Sequence, residues 1–478
     1  MVRIPYVLAP GDSTSGPILR AEVTLRSNPA VEMALLIDSS AVSHHYRRPK
    51  DGAGFTSWIL NKDSASGVNW ALVGINAPLA WGCETGTGTQ PSVPIAVVDE
   101  GFFNVPDLDS NVGVVRQYDL PSNPKFPHGT AVASVIGAVG DNQKGITGML
   151  WKANLQLYDD SRKPPSGVKG GLAATSYFAG VAAKTGARVV NISSGLDTSN
   201  FHYRPIGARK SDSALVFRTA FNFTKHILNS RAPGSSQIGS LFVVAAGNEQ
   251  FSAYFNGLSY ASHFSSVATN VITVGATTVD RFGNQSLASF SNSDSLVDVV
   301  APNEGMTVLG KGGTSIVVSG TSFSAPLVAG IAGMLVEFDP TIPASALKQL
   351  IIQGAIAGGR SVADPRRPNR RIPIVDAYAT LRLAASKMTS PLSGNRVYDH
   401  GSSLVIERGA STEVLGPVPL DFRELNAKHG GRRVEVYAYP SSYAYTYDAT
   451  NRNWTTTSIA PFPPTAAGDG GRTTAHST

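Results

Sequence analysis

Short apolar runs alternate with longer stretches of helical periodicity through the middle of the chain. Runs bounded by polar residues, such as Ile95–Val98, are typical of strands buried on both faces of a parallel sheet. The other predicted strands are Leu155–Tyr158, Val189–Ser193, Leu241–Ala246 and Val271–Ala276. The predicted helices are Gly129–Ala138, Tyr177–Thr185, Phe217–Leu228, Ser322–Phe338, Ser345–Gln353 and Asp376–Ser386. This alternation predicts an α/β fold, a parallel sheet flanked by helices.

The pattern changes at two places and divides the chain into three predicted regions. Residues 1–66 precede the alternation and hold one strand-like stretch, Ile18–Leu25. Residues 67–386 form the α/β domain. From residue 387 onward charge falls while Tyr, Thr, Ser, Pro and Gly rise, which predicts a small β-rich accessory region. Its Pro-, Gly- and Thr-rich end, Pro461–Thr478, is predicted to be disordered.

Composition narrows the classes of function. A hydrophobic share of 42% with 15% charged residues excludes global disorder. The net charge of +6 is small for 478 residues, and the basic clusters Arg47–Lys50 and Arg366–Arg371 contain proline and are predicted to be solvated loops. We therefore predict no nucleic-acid partner. The single cysteine, Cys83, excludes a disulfide framework within the chain.

Targeting signals are weak in this sequence. The first residues lack the charged segment and apolar core of a signal peptide. No continuous apolar stretch of about 18 residues is found, so no membrane span is predicted.

Three segments supply the residue types that catalysis by a serine hydroxyl requires. Asp99 ends an apolar strand, His128 precedes a predicted helix, and Ser322 lies in the run Ser319–Pro326. A serine hydroxyl is a weak nucleophile until a histidine takes its proton, and a carboxylate must hold that histidine in the right tautomer. The run around Ser322 lacks the Gly-x-Ser-x-Gly pattern of an α/β-hydrolase elbow.

These segments resemble the subtilisin-like serine proteases, or subtilases, whose chain order is Asp, His, Ser. The resemblance covers about residues 67–385. The blocks that carry it are Ile75–Trp81, Val97–Gly101, His128–Ala133, Val189–Gly195, Phe242–Glu249 and Ser319–Pro326. Several blocks in the family's order are a far more specific signal than any one of them.

The resemblance implies a serine endopeptidase that acts on protein or peptide substrates without a cofactor for the chemistry. Ser322 would form the acyl-enzyme, His128 would be the general base and then the general acid, and Asp99 would orient His128. Asn248 would donate to the oxyanion. Most of the family is exported, which would make this protein extracytoplasmic or secreted, while the missing signal peptide leaves a processed chain, another export route and a location inside the cell open. Residues 1–66 fit a propeptide and an accessory segment equally well.

The resemblance also implies substrate contacts. The residues concerned are Ser193, Ser194, Gly195, Ala246, Gly247 and Glu249. The first three would pair with an extended substrate by adding it as a strand. The next two would line the pocket for the residue before the scissile bond, and Glu249 at its rim would favour a basic side chain.

Two oxygen-bearing side chains resemble the family's calcium ligands. They are Asp107 and Asn142, and hard oxygen ligands of this kind suit Ca²⁺. Lys144 places a positive charge close by, which opposes a cation. The sequence therefore leaves two alternatives open: a structural calcium ion bound at Asp107 and Asn142, or a loop that binds no ion.

Glu100 departs from the family pattern. Subtilases usually carry Ser or Thr after the catalytic aspartate, and that hydroxyl helps to hold the carboxylate, whereas ionised Glu100 cannot donate. An inward-facing Glu100 would raise the pKa of one carboxyl group. The favoured alternative is that Glu100 points to solvent and backbone N–H groups hold Asp99, which would lower activity without abolishing it. The leading hypothesis is an active endopeptidase. The alternatives are an impaired subtilase that binds peptides or regulates a partner, and an adhesion or targeting module that acts through the Tyr/Thr-rich tail.

Overall fold

The computed structural model describes most of the predicted α/β region and isolated strands beyond it. The described residues are 70–81, 84–86, 93–113, 126–161, 171–196, 210–231, 235, 238–250, 252–280, 284–340, 342–387 and strands between 395 and 475. They divide into two compact units, one with residues 70–77 and 84–381, the other with residues 78–81 and 382–475. The predicted strand Ile18–Leu25 and Cys83 lie outside the described residues.

Each predicted helix is present, but those predicted at Tyr177–Thr185 and Phe217–Leu228 begin earlier in the chain than predicted. In the described residues the helices are α1 (Trp70–Val73), α2 (Ala77–Ala80), α3 (Pro106–Asp109), α4 (His128–Gly137), α5 (Leu172–Lys184), α6 (Lys210–Asn229), α7 (Thr321–Phe338), α8 (Ala344–Ala357) and α9 (Ala377–Lys387). Short 3₁₀ turns span Ala253–Asn256, Ser259–His263 and Lys311–Gly313. His128 and Ser322 both fall in the first turn of a helix, α4 and α7 respectively.

The apolar runs form the main sheet. Its strands are β1 (Pro94–Asp99), β2 (Asn154–Asp159), β3 (Val189–Ile192), β4 (Leu241–Ala245), β5 (Val271–Val279), β6 (Gln285–Leu287) and β7 (Val299–Pro302). Their order is β2-β1-β3-β4-β5-β6, and β7 pairs with β5. All neighbours are parallel except β6, which runs antiparallel to β5. The prediction of a mostly parallel sheet flanked by helices is confirmed.

The strand order reverses at β1, because β2 lies on one side of it and β3 on the other. Helices that cross to opposite faces separate at such a point and leave a crevice at the carboxyl ends of the strands. Asp99 is the last residue of β1, in register with Asp159 of β2. The fold therefore places the Asp99 carboxylate at the edge where catalytic groups gather.

Helix α7 runs through the core. Its residues are apolar on all sides, which is typical of a helix buried on every face. It packs against β3, β4 and β5. By length and composition this helix could cross a membrane, but 89% of it is buried inside the protein. Core packing is a sufficient reason for its apolar composition.

Two hairpins complete the larger unit. Strands β8 (Glu304–Leu309) and β9 (Ser315–Ser319) lead directly into α7, and β10 (Ser361–Asp364) pairs with β11 (Arg367–Pro373). The basic cluster Arg366–Arg371 was predicted to be a solvated loop; its residues are mostly exposed, as predicted, but from Arg367 onward they form a strand rather than a loop. Arg370 donates to Asp364 Oδ2 at 3.0 Å and to the Asp294 carbonyl at 2.7 Å, so its charge has a structural partner.

The described residues beyond 387 are strands of the smaller unit. They are β12 (Asn395–Asp399), β13 (Leu404–Arg408), β14 (Ser411–Leu415), β15 (Val434–Tyr437), β16 (Tyr443–Asp448), β17 (Asn453–Ser458) and β18 (Arg472–Ala475). One sheet has the order β12-β13-β14-β15-β18, and β16 pairs with β17. Strand β18 differs from the disorder predicted for the end of the chain. Its β-branched pair Thr473 and Thr474 favours extended backbone.

Candidate active site

A short hydrogen bond joins Asp99 to His128. The distance from His128 Nδ1 to Asp99 Oδ1 is 2.7 Å, and the Glu100 N–H donates to the same oxygen at 2.8 Å. Asp99 is only 1% exposed. A buried carboxylate at this position keeps the proton of a neutral imidazole on Nδ1, which leaves Nε2 free to accept one.

Glycine at position 129 lets the start of α4 approach the loop after Asp99. The Gly129 N–H donates to the Glu100 carbonyl at 2.6 Å. A Cβ atom at residue 129 would lie 2.7 Å from the ring of Phe102 and 2.8 Å from the Glu100 carbonyl. A larger residue would push α4 away and lengthen the contact between His128 and Asp99.

Three carboxylates act on the imidazole. Burial by itself lowers the pKa of His128, because the charged form loses hydration. The charge and hydrogen bond of Asp99, with smaller contributions from Glu100 and Asp160, more than offset this, so the His128 pKa is raised above its ordinary value. Their negative charges stabilise the imidazolium that forms when His128 takes a proton.

Ser322 lies near His128, but its hydroxyl faces another group. The rings of His128 and Phe323 have centroids 5.4 Å apart, so the imidazole lies beside the first turn of α7. Ser322 Oγ donates to the Ser193 carbonyl at 3.2 Å. Within the described part of the chain no hydrogen bond joins Ser322 to His128.

The Asn248 amide is oriented by Thr321. Asn248 Oδ1 accepts from the Thr321 N–H at 2.8 Å and from the Thr321 hydroxyl at 3.0 Å. With its oxygen engaged by two donors, the amide keeps its NH₂ group for another acceptor. Thr321 immediately precedes Ser322, so the Asn248 amide is held at the start of α7.

Gly247 lies where a side chain would collide with its surroundings. Its φ of +104° is in a region that side chains rarely adopt. A Cβ atom there would lie 2.3 Å from Asn292 Nδ2 and 2.7 Å from Glu249 Oε2. Asn292 Nδ2 donates to Glu249 Oε2 at 2.7 Å and Asn292 Oδ1 accepts from the Glu249 N–H at 3.1 Å. Glu249 is thus held beside Gly247, and Ala246 before it is buried.

The predicted substrate strand follows β3. Ser193 is buried, while Ser194 and Gly195 are half-buried. Since β3 and β4 are parallel neighbours, Ser193 and Ala246 emerge at the same edge of the sheet as Asp99. A Cβ atom at Gly195 would lie 2.0 Å from Asn256 Nδ2, so this position requires glycine.

The Asp107 carboxylate is satisfied by protein N–H groups. Oδ1 accepts from Asn142 Nδ2 at 2.6 Å, and Oδ2 accepts from the Ile146 N–H at 3.0 Å. Asn142 Oδ1 accepts from the Lys144 N–H at 2.8 Å, which fixes the amide with its donor side toward Asp107. Among the described residues no cluster of three His, Cys, Asp or Glu side chains could hold a metal ion. The contacts of Asp107 and Asn142 do not fit a calcium site.

Sequence reasoning missed two residues of this region. Thr321 lies inside the run around Ser322, but its role depends on Asn248, a residue 73 positions away. Asp160 follows β2, and its N–H donates to the Asp99 carbonyl at 3.0 Å. The rule that polar residues at the carboxyl ends of parallel strands meet could have identified Asp160.

Comparison with known families agrees with this geometry. The model of the Subtilase family matches residues 90–381, which is more than half of the chain. The chain belongs to the subtilase family. Membership confirms the resemblance inferred from the motifs, and subtilases are serine endopeptidases that work with an Asp-His-Ser triad and typically need no cofactor for the chemistry.

Curated relatives of this subtilase are proteinases. A thermophilic serine proteinase from Bacillus sp. (strain AK1) is 31% identical over 285 residues, which is 58% of this chain and 60% of that protein. Thermitase from Thermoactinomyces vulgaris is 32% identical over 270 residues, 55% of this chain and 79% of that protein. The match therefore spans less than two thirds of the Bacillus proteinase.

A solved structure is also similar. Fervidolysin from Fervidobacterium pennivorans, a keratinolytic enzyme related to subtilisin, has a TM-score of 0.48 and 22% sequence identity, covering 73% of this chain and 50% of that chain.

Proposed function

We propose that this subtilase is a serine endopeptidase whose triad is Asp99, His128 and Ser322. The observation that carries the proposal is the 2.7 Å hydrogen bond between His128 Nδ1 and buried Asp99 Oδ1, beside the helix turn that holds Ser322. Family membership of residues 90–381 supports the reaction class.

The first chemical step uses the free nitrogen of His128. Ser322 Oγ turns from the Ser193 carbonyl and attacks the substrate carbonyl carbon while its proton passes to Nε2. The new O–C bond forms as the carbonyl π pair moves onto oxygen. The C–N bond then breaks, and the proton on Nε2 passes to the leaving amine. A water molecule repeats the sequence on the acyl-enzyme and regenerates Ser322.

The tetrahedral oxyanion would be stabilised by two donors. One is the NH₂ group of the Asn248 amide, which Thr321 holds at the start of α7. The other is the Ser322 N–H in the first turn of α7, where N–H groups of a helix are without intrahelical partners. Donors fixed before the reaction stabilise developing charge without a cost of reorganisation.

Substrate would lie extended along Ser193, Ser194 and Gly195, as an added strand. Its side chain before the scissile bond would enter the pocket beside Gly247. The Glu249 carboxylate lies at that pocket, and a basic side chain there would gain an ionic contact. The Asn292 amide already donates to Glu249, so we propose only a modest preference.

The predicted calcium ion at Asp107 and Asn142 would require the observed contacts of both side chains to change. If the Asn142 amide turned over and the Lys144 N–H no longer bonded to Asn142 Oδ1, the Asp107 carboxylate and the Asn142 amide oxygen would face one cation. The observed hydrogen bonds favour instead a loop that needs no ion. No step of the proposed chemistry depends on this loop.

A fluorophosphonate probe tests the proposed nucleophile. The probe reacts with an activated serine, so the full chain should become labelled, while Ser322→Ala and His128→Ala should not. Peptide products identified by mass spectrometry would then establish endopeptidase cleavage. If the folded wild type stays unlabelled, also with calcium present and after mild proteolysis to remove a propeptide, the active-enzyme proposal is wrong.

One observation keeps the peptide-binding alternative in view. Asp99 Oδ2 is buried and has no hydrogen-bond partner among the described residues, and Glu100 stands where the family has a hydroxyl. With too few donors around its carboxylate, Asp99 would orient His128 less firmly. Unlabelled protein that still binds extended peptides would favour this alternative.

A further inference from the structure

Asp160 lies beside the triad and is held there by two elements. Its N–H donates to the Asp99 carbonyl at 3.0 Å, continuing the parallel pairing of β1 with β2. Its side chain is anchored from α5, because the Thr175 hydroxyl donates to Asp160 Oδ2 at 2.6 Å. The first contact holds Asp160 next to Asp99 at the end of β1, and the second restrains its carboxyl group.

Several carboxyl groups crowd this edge of the sheet. Those that act on Asp160 are Asp99, Glu100 and Asp159. Within the described residues no Lys or Arg forms an ion pair with Asp160. Burial raises the pKa of Asp160 to about 7, and the Asp99 charge acts in the same direction, against the opposing effect of the Thr175 hydroxyl. Asp160 therefore changes charge near neutral pH.

We propose that Asp160 is a positioning residue of the catalytic site, a second carboxyl group that sets the basicity of His128. It touches neither substrate nor the reacting atoms, and the proposal rests on the assigned role of His128 as general base. When Asp160 is ionised, its negative charge faces the imidazole together with Asp99 and Glu100 and stabilises the imidazolium. When Asp160 is protonated, that stabilisation is absent.

The consequence is a coupled titration. Protonated His128 makes it easier for Asp160 to lose its proton, and ionised Asp160 makes His128 keep its own. The fall in rate at acid pH is then set by the joint titration of His128 and Asp160, and not by His128 alone. Replacing Asp160 by the isosteric, uncharged Asn should lower the pH midpoint of His128 by about half a unit to one unit, the size expected for one charge at this separation in a partly screened site.

The test measures His128 directly. The low-field proton resonance of Nδ1–H, assigned by its loss in His128→Gln, is followed against pH in the full chain carrying Ser322→Ala to prevent self-cleavage. We expect a midpoint lower by half a unit to one unit in Asp160→Asn. Thr175→Val, which keeps the carboxyl group but removes the hydroxyl, should shift the midpoint in the same direction by a smaller amount, while Thr175→Ser should match the parent.

A neighbouring carboxylate provides the matched control. Asp159 Oδ1 accepts from the N–H and the hydroxyl of Ser161, and the leading influences on the His128 pKa are burial, Asp99, Glu100 and Asp160 rather than Asp159. Asp159→Asn should shift the His128 midpoint much less than Asp160→Asn. Identical midpoints in the parent and Asp160→Asn, or equal shifts for the two Asn variants, would overturn the proposal.

The resonance titration needs no turnover, so it separates this proposal from the proposed function. In active enzyme, the acid limb of kcat/KM should move with the resonance midpoint. A uniform fall of kcat/KM at every pH, without a moved limb, would show a purely structural role for Asp160 and would contradict the inference.

Discussion

Pro326 leaves the carbonyl of Ser322 without a partner inside helix α7. A helical carbonyl accepts from the N–H four residues later, and proline has none. Ser193 supplies the missing donor, because its hydroxyl lies 2.7 Å from the Ser322 carbonyl. Asn191 Nδ2 in turn donates to Ser193 Oγ at 3.0 Å. A strand end thus fixes the backbone of the candidate nucleophile.

Replacing Ser193 by Ala should therefore reduce catalysis. The Ser322 carbonyl would lose its donor, and a displaced nucleophile costs about tenfold in kcat/KM. Steady-state kinetics on a peptide substrate measures this. Ser262→Ala, which removes a hydroxyl donating to the Ser259 carbonyl elsewhere, should leave kcat/KM unchanged. Equal kinetics for both variants would contradict the role of Ser193.

Asn248→Ala should lower kcat with little change in KM. The NH₂ group would act only on the charged oxygen of the tetrahedral state, and loss of the comparable donor in subtilisin costs about two to three powers of ten in kcat. The control is Asn284→Ala, which alters an exposed amide that bonds only to Asp280. A change confined to KM would mean that Asn248 binds the ground state instead.

Glu100→Ser should raise activity. Asp99 Oδ2 is buried without a partner among the described residues, and a short hydroxyl next in the chain offers a donor. One added hydrogen bond is worth about 1 kcal/mol, so kcat/KM should rise roughly fivefold. Glu100→Gln removes the same charge without a hydroxyl at that position, so it should not give this gain. Equal activities of the two variants would show that the missing hydroxyl at position 100 does not limit the activity of the parent protein.

A chelator should not lower the melting temperature of the purified protein. Asp107 is already satisfied by Asn142 and the Ile146 N–H, so no ion is needed to stabilise it. Asp107→Ala should cost about 2–4 kcal/mol of unfolding free energy, because it removes hydrogen bonds to a charged group and leaves a buried N–H unpaired. A melting temperature that falls with chelator and returns with calcium would instead support the predicted ion.

The raised pKa of Glu337 predicts that the folded protein loses stability as pH rises. Burial raises its pKa to about 7, opposed by the Val93 N–H, which donates to Oε1 at 2.6 Å. The folded state therefore holds this proton more tightly than the unfolded state. Its stabilising contribution is complete below the ordinary pKa of 4.5 and is lost as pH rises toward 7.

Glu337→Gln should consequently stabilise the protein at pH 8. The amide oxygen can still accept from Val93, and no charge has to be buried. Because the group is half-exposed, solvent screening reduces the expected gain to about 1 kcal/mol. Denaturant unfolding at pH 8 and pH 4 measures it, with the low-pH comparison as the control. A gain of equal size at both pH values would show that ionisation is not the cause.

The sequence by itself determined the α/β class, the core strands and longer helices of that domain, and the residue types of the candidate triad. Hydrophobic periodicity is a local property, so Ile95–Val98 indicates a buried strand and Ser322–Phe338 a buried helix without knowledge of their neighbours. The basic cluster near Arg370 is largely solvated, as the local pattern predicts, but the pattern missed strand β11, because the Arg370 partners Asp364 and Asp294 become visible only when the β10–β11 hairpin is formed.

Only the tertiary structure decided how the side chains are oriented. The Asn248 amide is fixed by Thr321, and the Asp107 carboxylate turns out to be satisfied by N–H groups of a distant loop. Asp160 faces the triad because β2 lies next to β1 in the sheet. Hydrogen bonds and charge interactions act over a few ångströms between residues far apart in the chain, so packing, and not the local pattern, establishes them.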